Sequence, residues 1–440
     1  MRDLALVLVL LVATFYALKR PWVGVMIWTW VSIMNPHKLA FGFAHAAPFA
    51  AIAAAVTFVS MVFTKDKIKF TWSPPVVVLL LFVAWMTLTT VFSVHSTASW
   101  LQLNKVFKIQ LMTLVALAVL HERKHIEFFI WINVLSIGFY GFKGGIFTIT
   151  SGGGARVWGP PGGFIEGNNE LAVALIMCIP LMNYLRVVAT RIWIRQGLLV
   201  VMLLSTVAAL GTQSRGALLA LSAMGALLWL RSDRKIVTGI MVGVIAAGLL
   251  AFMPESWSER MGTIQTYESD GSAMGRINAW QMTYNLANDR FLGGGFAIYQ
   301  PDLYAIYAPN PNIVLGAHSI YFAVLGEHGW VGLFLFLLLW LLTFMLAGRL
   351  RKQARLLPET MWLYYLAGMC QVSIIGYAVG GAFLALQYFD LPYNLMVILL
   401  AADRWLKSKA YENEKTGAFG SAAPVGRMKA KKKTFQAVPA

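Results

Sequence analysis

An all-α, polytopic integral membrane protein with about 12 or 13 transmembrane helices is what this 440-residue chain predicts, on three observations. Apolar residues make up 58% of it and charged residues only 12%, whereas a soluble domain carries roughly 25% charge. The apolar residues are gathered into long runs, and roughly 20 of them cross a bilayer as a helix. Basic residues outnumber acidic ones 36 to 19, for a net charge of +17, and most of them recur in clusters between pairs of those runs.

Taken in order, the runs divide the chain into five parts. Residues 1–149 hold apolar runs at 4–18, 21–34, 44–64, 72–94, 101–120 and 126–148. Pro74 and Pro75 suit a helix start. Residues 150–252 begin with a Gly- and Pro-rich stretch and continue with runs at 169–185, 197–210, 216–230 and 236–252, the first holding Pro180, which predicts a kink. Residues 253–317 form the longest hydrophilic insert. Residues 318–406 return to the membrane with runs at 320–346, 361–386 and 391–406. Residues 407–440 hold eight Lys/Arg among Gly, Ala, Ser and Pro and read as a disordered cytoplasmic tail. Cys178 and Cys370 lie inside apolar runs as small hydrophobes and provide no disulfide framework.

Lys and Arg concentrate in short cytoplasmic loops. The clusters are Lys19-Arg20, Lys65/Lys67/Lys69, Arg123-Lys124, Arg186/Arg191/Arg195, Arg231/Arg234/Lys235 and Arg349/Arg351/Lys352/Arg355, joined by Arg404 and the tail. Two apolar runs separate each neighbouring pair, so all of them face the cytoplasm and residues 253–317 face outward. Both the 12- and the 13-span counts remain open, because the runs within residues 1–34 are short enough to supply one crossing or two. This basic excess does not indicate nucleic acid, since no aromatic-basic recognition motif accompanies it.

The clusters and tail absorb 26 of the 36 basic residues as topology signals. Ten are left: Arg2, Lys38, Lys105, Lys108, Lys143, Arg156, Arg215, Arg260, Arg276 and Arg290. Ionisable groups at membrane depth or at its outer edge are candidates for function. Arg215 sits in the short turn Gly211-Thr-Gln-Ser-Arg-Gly216, where its planar fork suits a phosphate or lets it snorkel to lipid headgroups. Arg276 lies in Gly275-Arg-Ile-Asn-Ala-Trp280, within a stretch (273–286) that predicts an amphipathic helix lying at the membrane surface. Arg156 stands in the Gly- and Pro-rich segment 152–163, which lacks the Gly-Lys-Ser/Thr ending of a P-loop.

His318 falls where the insert re-enters the membrane, in Gly316-Ala-His-Ser-Ile-Tyr321, with Glu327 and His328 following in Leu325-Gly-Glu-His-Gly329. A neutral imidazole there can take a proton from an alcohol, and nearby arginines would keep it neutral. The alternative is a helix-start histidine bonded to backbone. Metal chemistry is not expected. The outer carboxylates Glu166, Glu170, Glu268, Asp270, Asp289, Asp302 and Asp390 are dispersed, and no ligand motif is visible.

These segments together resemble the bacterial O-antigen ligase and polymerase superfamily, and within it the O-glycosylation ligases associated with exosortase systems. The resemblance rests on Thr212-Gln-Ser-Arg-Gly216, Gly275-Arg-Ile-Asn-Ala-Trp280, Phe291-Leu-Gly-Gly-Gly295, Ala317-His-Ser-Ile-Tyr321 and Leu325-Gly-Glu-His-Gly329, with Asn168-Asn169-Glu170 as a further element. It covers about residues 150–345. A common variant has Asn after the histidine, where this chain has Ser319.

The resemblance implies a GT-C-like fold in a bacterial inner membrane, with the active site facing the periplasm. It also implies an inverting, metal-independent glycosyltransferase without cofactor. The donor would be a glycan on undecaprenyl diphosphate and the acceptor a lipid A–core sugar hydroxyl, both reached from the surrounding membrane lipids. Arg215 and Arg276, together with Arg156, would hold the diphosphate, and His318 would activate the acceptor. A glycan polymerase and a protein O-oligosaccharyltransferase share these motifs. A membrane transporter is the reading from another class, for which the pair Lys105 and Lys108 would suit anion passage.

Overall fold

The computed structural model describes residues 2–412 apart from 67, 232–234, 256, 258–261 and 263–270. The predicted tail beyond residue 412 and Arg260, Arg234, Lys67, Glu268 and Asp270 therefore lie outside the described residues. The protein is 78% helical and has no strand among the described residues. In chain order the helices are α1 (Arg2–Lys19), α2 (Pro21–Met34), α3 (Phe49–Phe63), α4 (Pro74–Val91), α5 (Ser96–Val119), α6 (Arg123–Thr150), α7 (Asn168–Val188) and α8 (Ile192–Gly211). They continue as α9 (Arg215–Arg231), α10 (Lys235–Phe252), α11 (Gly271–Asp289), α12 (Pro301–Tyr307), α13 (Ile320–Ala354), α14 (Met361–Gly381) and α15 (Asp390–Lys407).

Among the described residues seven helices are long and apolar enough to cross a membrane: α4, α5, α6, α7, α8, α13, and α14 with its lead-in from Pro358. The helices α2, α3 and most of α9 (Arg215–Leu230) are apolar but shorter. Pro21 and Pro74 open α2 and α4, where a missing N–H costs nothing. The α7 helix runs through Pro180.

At the centre stands α7, buried on every side from Leu171 to Met182, between α6, α8, α9 and α14. A helix apolar all round is a core helix. By contrast α1 exposes Leu4, Leu8, Leu11 and Phe15, the apolar surface expected against lipid. One end of the bundle is basic. There the Arg404 guanidinium of α15 donates to the Leu117 carbonyl at 3.0 Å, the Lys69 carbonyl at 2.7 Å and the Leu120 carbonyl. It caps the end of α5, whose last carbonyls have no partner within the helix. At the same end Arg123 pairs with the buried Glu127 at 2.8 Å, and Asp403 with Lys407 at 2.7 Å. Some of the residues expected to act only as topology signals thus also lock the bundle, because a charge that stays at the interface is free to serve backbone carbonyls beside it.

At the opposite end α11, α12 and the loops around them form a small second core of Ala279, Met282, Leu286, Ile298, Leu303, Tyr304 and Ala317. The predicted amphipathic helix exists as α11, but its buried stripe packs on α12 and α13. The apolar face expected to lie on the membrane is covered by protein, because the loop folds back over it.

One joint fastens this unit to the bundle. Gly329 breaks α13 with φ 66° and ψ −172°. A helix end leaves its last carbonyls without amide partners, and here the partners come from elsewhere. Gly294 N–H donates to the Gly326 carbonyl and Gly295 N–H to that of Glu327, both at 2.9 Å, while the Trp85 indole donates to that of His328 at 2.8 Å. Contact this close excludes side chains. A Cβ on Gly329 would stand 2.3 Å from the Phe291 carbonyl oxygen, and one on Gly293, at φ 69°, would stand 2.7 Å from the Gly329 nitrogen. Phe291-Leu-Gly-Gly-Gly295 and Leu325-Gly-Glu-His-Gly329 are therefore two halves of one contact.

Gly329→Ala is expected to cost about 1–3 kcal/mol through its backbone conformation alone, with the clash added. The readout is a lower melting temperature in detergent. Gly197→Ala, where a Cβ meets nothing within 4 Å, should leave it unchanged or higher.

Candidate active site

His318 owes its position to α11, one motif residue at a time. Gly275 leaves room for Leu315, whose Cδ1 would stand 2.3 Å from a Cβ there. Asn278 donates to the carbonyls of Asn310 at 2.9 Å and Ile313 at 3.0 Å, and accepts from the Asn310 N–H at 2.8 Å. Trp280 donates to the Ala317 carbonyl at 2.7 Å and stacks on Phe322 with centroids 4.9 Å apart. The residue left over in the motif, Arg276, brings its charge to bear on His318.

His318 itself stands just before Ser319, the N-cap of α13, at φ 42°. A non-glycine residue in this region is strained by about 1–3 kcal/mol, and such strain gathers at functional sites. Its Nδ1 is buried without a hydrogen-bond partner, so the alternative of a backbone-bonded helix-start histidine does not hold for that nitrogen. Burial first, and the Arg276 guanidinium second, hold the imidazole below its ordinary pKa. It is therefore neutral at pH 7 and can accept a proton.

The Arg276 charge also reaches Glu170, in the first turn of α7. The Glu170 carboxylate folds back over Gly167, where a Cβ would lie 2.1 Å from its Oε2. Glu170, one of the carboxylates expected to be dispersed, is within electrostatic reach of Arg276, and no group of three metal-ligating side chains gathers among the described residues. The fold brings the two charges from distant parts of the chain near enough to influence each other, a proximity that sequence spacing cannot display. Asn168-Asn169-Glu170 was the available signal.

The other two arginines belong to the neighbouring turn. Arg156 Nε donates to Gln213 Oε1 at 3.2 Å, and Gln213 Nε2 donates to the carbonyls of Gly153 and Gly154 at 3.2 and 3.3 Å. Gln213 stands at φ 56°. Asn168 Nδ2 donates to the Thr212 carbonyl at 2.8 Å, tying this turn to the start of α7. Arg215 is the first residue of α9 and is partly buried, whereas Arg156 is exposed.

The end of α14 holds these starts together. Gly381 packs on Ile320 and Gly380 on Val173 and Ala220, Phe383 lies against Gly216, and Tyr321 donates to the Ala378 carbonyl at 2.7 Å. Arg215, Arg276, Glu170 and His318 thus stand on elements that converge at one end of the bundle, with Arg156 on the adjoining loop.

Glu327 and His328 lie elsewhere, in a buried chain at the helix break. Tyr388 donates to Glu327 Oε2 at 2.6 Å, His328 Nε2 is 2.8 Å from the Tyr388 hydroxyl, and His328 Nδ1 is 2.7 Å from Thr89 Oγ1. If Glu327 is ionised, Tyr388 donates to it, Nε2–H donates to Tyr388, and Thr89 donates to Nδ1. If Glu327 is protonated, every bond reverses and Thr89 donates to the Met86 carbonyl, 3.0 Å away. Either set satisfies the hydrogen-bonding groups of all four residues with His328 neutral. Sequence reasoning missed Thr89 and Tyr388, which come from α4 and from the segment before α15.

Asn278→Ala would remove three hydrogen bonds that hold the His318 loop, at about 0.5–1.5 kcal/mol each. Hydrogen exchange is expected to rise across residues 308–317 while α7 stays protected.

Residues 200–337 match the O-antigen ligase family, and residues 1–190 match a family of unknown function, DUF5935. No curated protein matches the chain. The first of these segments holds Arg215, Arg276, His318 and both halves of the glycine joint, while Arg156, Asn168 and Glu170 come from the second. Set in a multi-pass helical membrane protein, the segment 200–337 supports the O-antigen ligase and polymerase superfamily and a glycosyltransferase-like activity.

Proposed function

We propose that the protein is an O-antigen ligase of the exosortase-associated kind. It transfers a glycan from undecaprenyl diphosphate to a sugar hydroxyl of lipid A–core, at the periplasmic face of a bacterial inner membrane. The observation that carries this reading is the neutral His318 imidazole, held in a strained conformation under the charge of Arg276, with a ring nitrogen that has no hydrogen-bond partner among the described residues. A group held this way is poised for a proton.

In the reaction the acceptor hydroxyl gives its proton to His318 as its oxygen attacks the anomeric carbon. The bond from that carbon to the diphosphate oxygen breaks, and its electrons leave with the diphosphate. Arg276 and Arg215, with Arg156 at the rim, meet the charge that develops there. Attack opposite the leaving group inverts the anomeric centre. Both substrates are lipid-anchored, so diffusion in one plane and a fixed site supply proximity. Glu170 keeps Arg276 oriented before the donor arrives. The division into N-terminal spans (1–149), central spans (150–252), periplasmic insert (253–317), C-terminal spans (318–406) and tail belongs to the same proposal.

Transport draws less support. Lys105 and Lys108, which would have to line a path, are exposed on the exterior of α5.

Purified protein should move glycan from undecaprenyl diphosphate to lipid A–core with or without EDTA, and His318→Ala should fold but transfer nothing. Product only on peptide, or only on the donor glycan, would assign the chain to an oligosaccharyltransferase or a polymerase. The pH profile gives a separate check. A base works when neutral, and the His318 pKa is lowered, so kcat/KM should hold through pH 7 and fall only at pH values below the ordinary histidine range. Arg276→Gln removes one cause of the lowering and should move that acid limb to higher pH.

A further inference from the structure

The outer surface of α5 changes character halfway along. Its first half exposes Trp100, Leu101, Asn104, Lys105, Phe107 and Lys108, whereas from Ile109 to Val119 every residue is buried or partly so. Neighbouring helices thus cover the second half of α5 and leave this face of the first half open. The open half lies at the site end. Ser99 donates to the Phe296 carbonyl at 2.7 Å, and His95 stands 3.3 Å from Asp302 of α12.

Lys108 is the helix-face neighbour of both Lys105 and Asn104, three and four residues before it. At 1.5 Å per residue the lysines stand about 14 and 18 Å along the axis from Ser96, well inside a span of 24 residues. An ammonium facing hydrocarbon at that depth is costly. Neither lysine makes an ion pair or hydrogen bond with the described residues. The packed neighbours offer no counter-charge. Helices α2 and α4 contain no carboxylate. Those of α15, Asp390 and Asp403, are buried, bonded to Ser32 and to Arg349 and Lys407. Among the described residues of these helices no carboxylate is left to supply the anion.

We propose that the open half of α5 binds a phosphate-bearing anionic lipid, separately from Arg215 and Arg276. Side chains of a helix lean toward its N-terminus, so both ammoniums and the Asn104 amide rise toward the leaflet at the site end, where a lipid phosphate enters from the side. Leu101 and Phe107 flank the lysines as apolar surface for the lipid chain. The phosphate supplies several acceptor oxygens for the two ammoniums, which serve as point-charge donors.

Native mass spectrometry of the purified full chain, titrated with phosphatidylglycerol, undecaprenyl phosphate or phosphatidylcholine, tests this. The wild type should hold one more anionic lipid than the Lys105→Gln/Lys108→Gln protein, with affinity for that copy about tenfold weaker in the variant from loss of charge-assisted bonds. The Lys105→Arg/Lys108→Arg protein should restore it. Unequal retention of the two anionic lipids would tell which source the site prefers. Equal lipid counts in wild type and Gln variant would overturn the proposal, as would displacement of the lipid by inorganic phosphate. It would also fall if a wild type stripped of anionic lipid keeps a protein partner that the Gln variant releases. Matching melting temperatures of the three proteins show that the comparison concerns folded chains, and the phosphate competition needs no variant.

Discussion

Inside a bilayer a backbone carbonyl without a partner is expensive, and water is not available to supply one. The break at Gly329 creates three such carbonyls, and the way they are satisfied organises the rest of the molecule. Two partners are amides of Gly294 and Gly295, so the segment after α11 must lie against α13. The third is the indole of Trp85, which brings α4 to the same point. Once this joint is made, α11 crosses near the start of α13 and Asn278 and Trp280 can hold the loop that ends in His318. The position of the imidazole is thus a downstream result of where three carbonyls find hydrogen bonds.

The fold class and the candidate arginines were legible in the sequence for a simple reason. Hydropathy and charge sidedness are properties of a linear chain in a layered solvent, so runs and clusters can be read directly. His318, Arg215 and Arg276 stood out because they broke that pattern. The residues the fold gathers around this candidate site did not, since Glu170 and Asn168 are remote in the chain and ordinary in type. Glycine motifs were visible, but their meaning was not. Phe291-Leu-Gly-Gly-Gly295 and Leu325-Gly-Glu-His-Gly329 are separately weak signals, and only the close approach of the two backbones explains why neither tolerates a side chain. The amphipathic pattern of α11 was correctly a helix, yet periodicity alone does not distinguish a face covered by lipid from one covered by protein.

Charge also divides less cleanly than sidedness suggests. Several basic residues that mark the cytoplasmic side in the sequence are fastenings in the structure: Arg123 on Glu127 and over the Trp362 ring, Arg349 on Asp403, and Arg404 on three carbonyls. One residue can carry both duties because an arginine kept at the interface by its solvation has its donors free for the helix ends beside it.

The Arg404 cap ties events at opposite ends of biosynthesis. The chain emerges from its N-terminus, and α4 and α5 enter the membrane long before residue 404 has been translated. Until then the carbonyls of Lys69, Leu117 and Leu120 lack the guanidinium that closes them. A polypeptide halted before α15 keeps this seam unlatched. Arg404 therefore makes the end of α5 and the segment before α4 depend on α15 for their last hydrogen bonds.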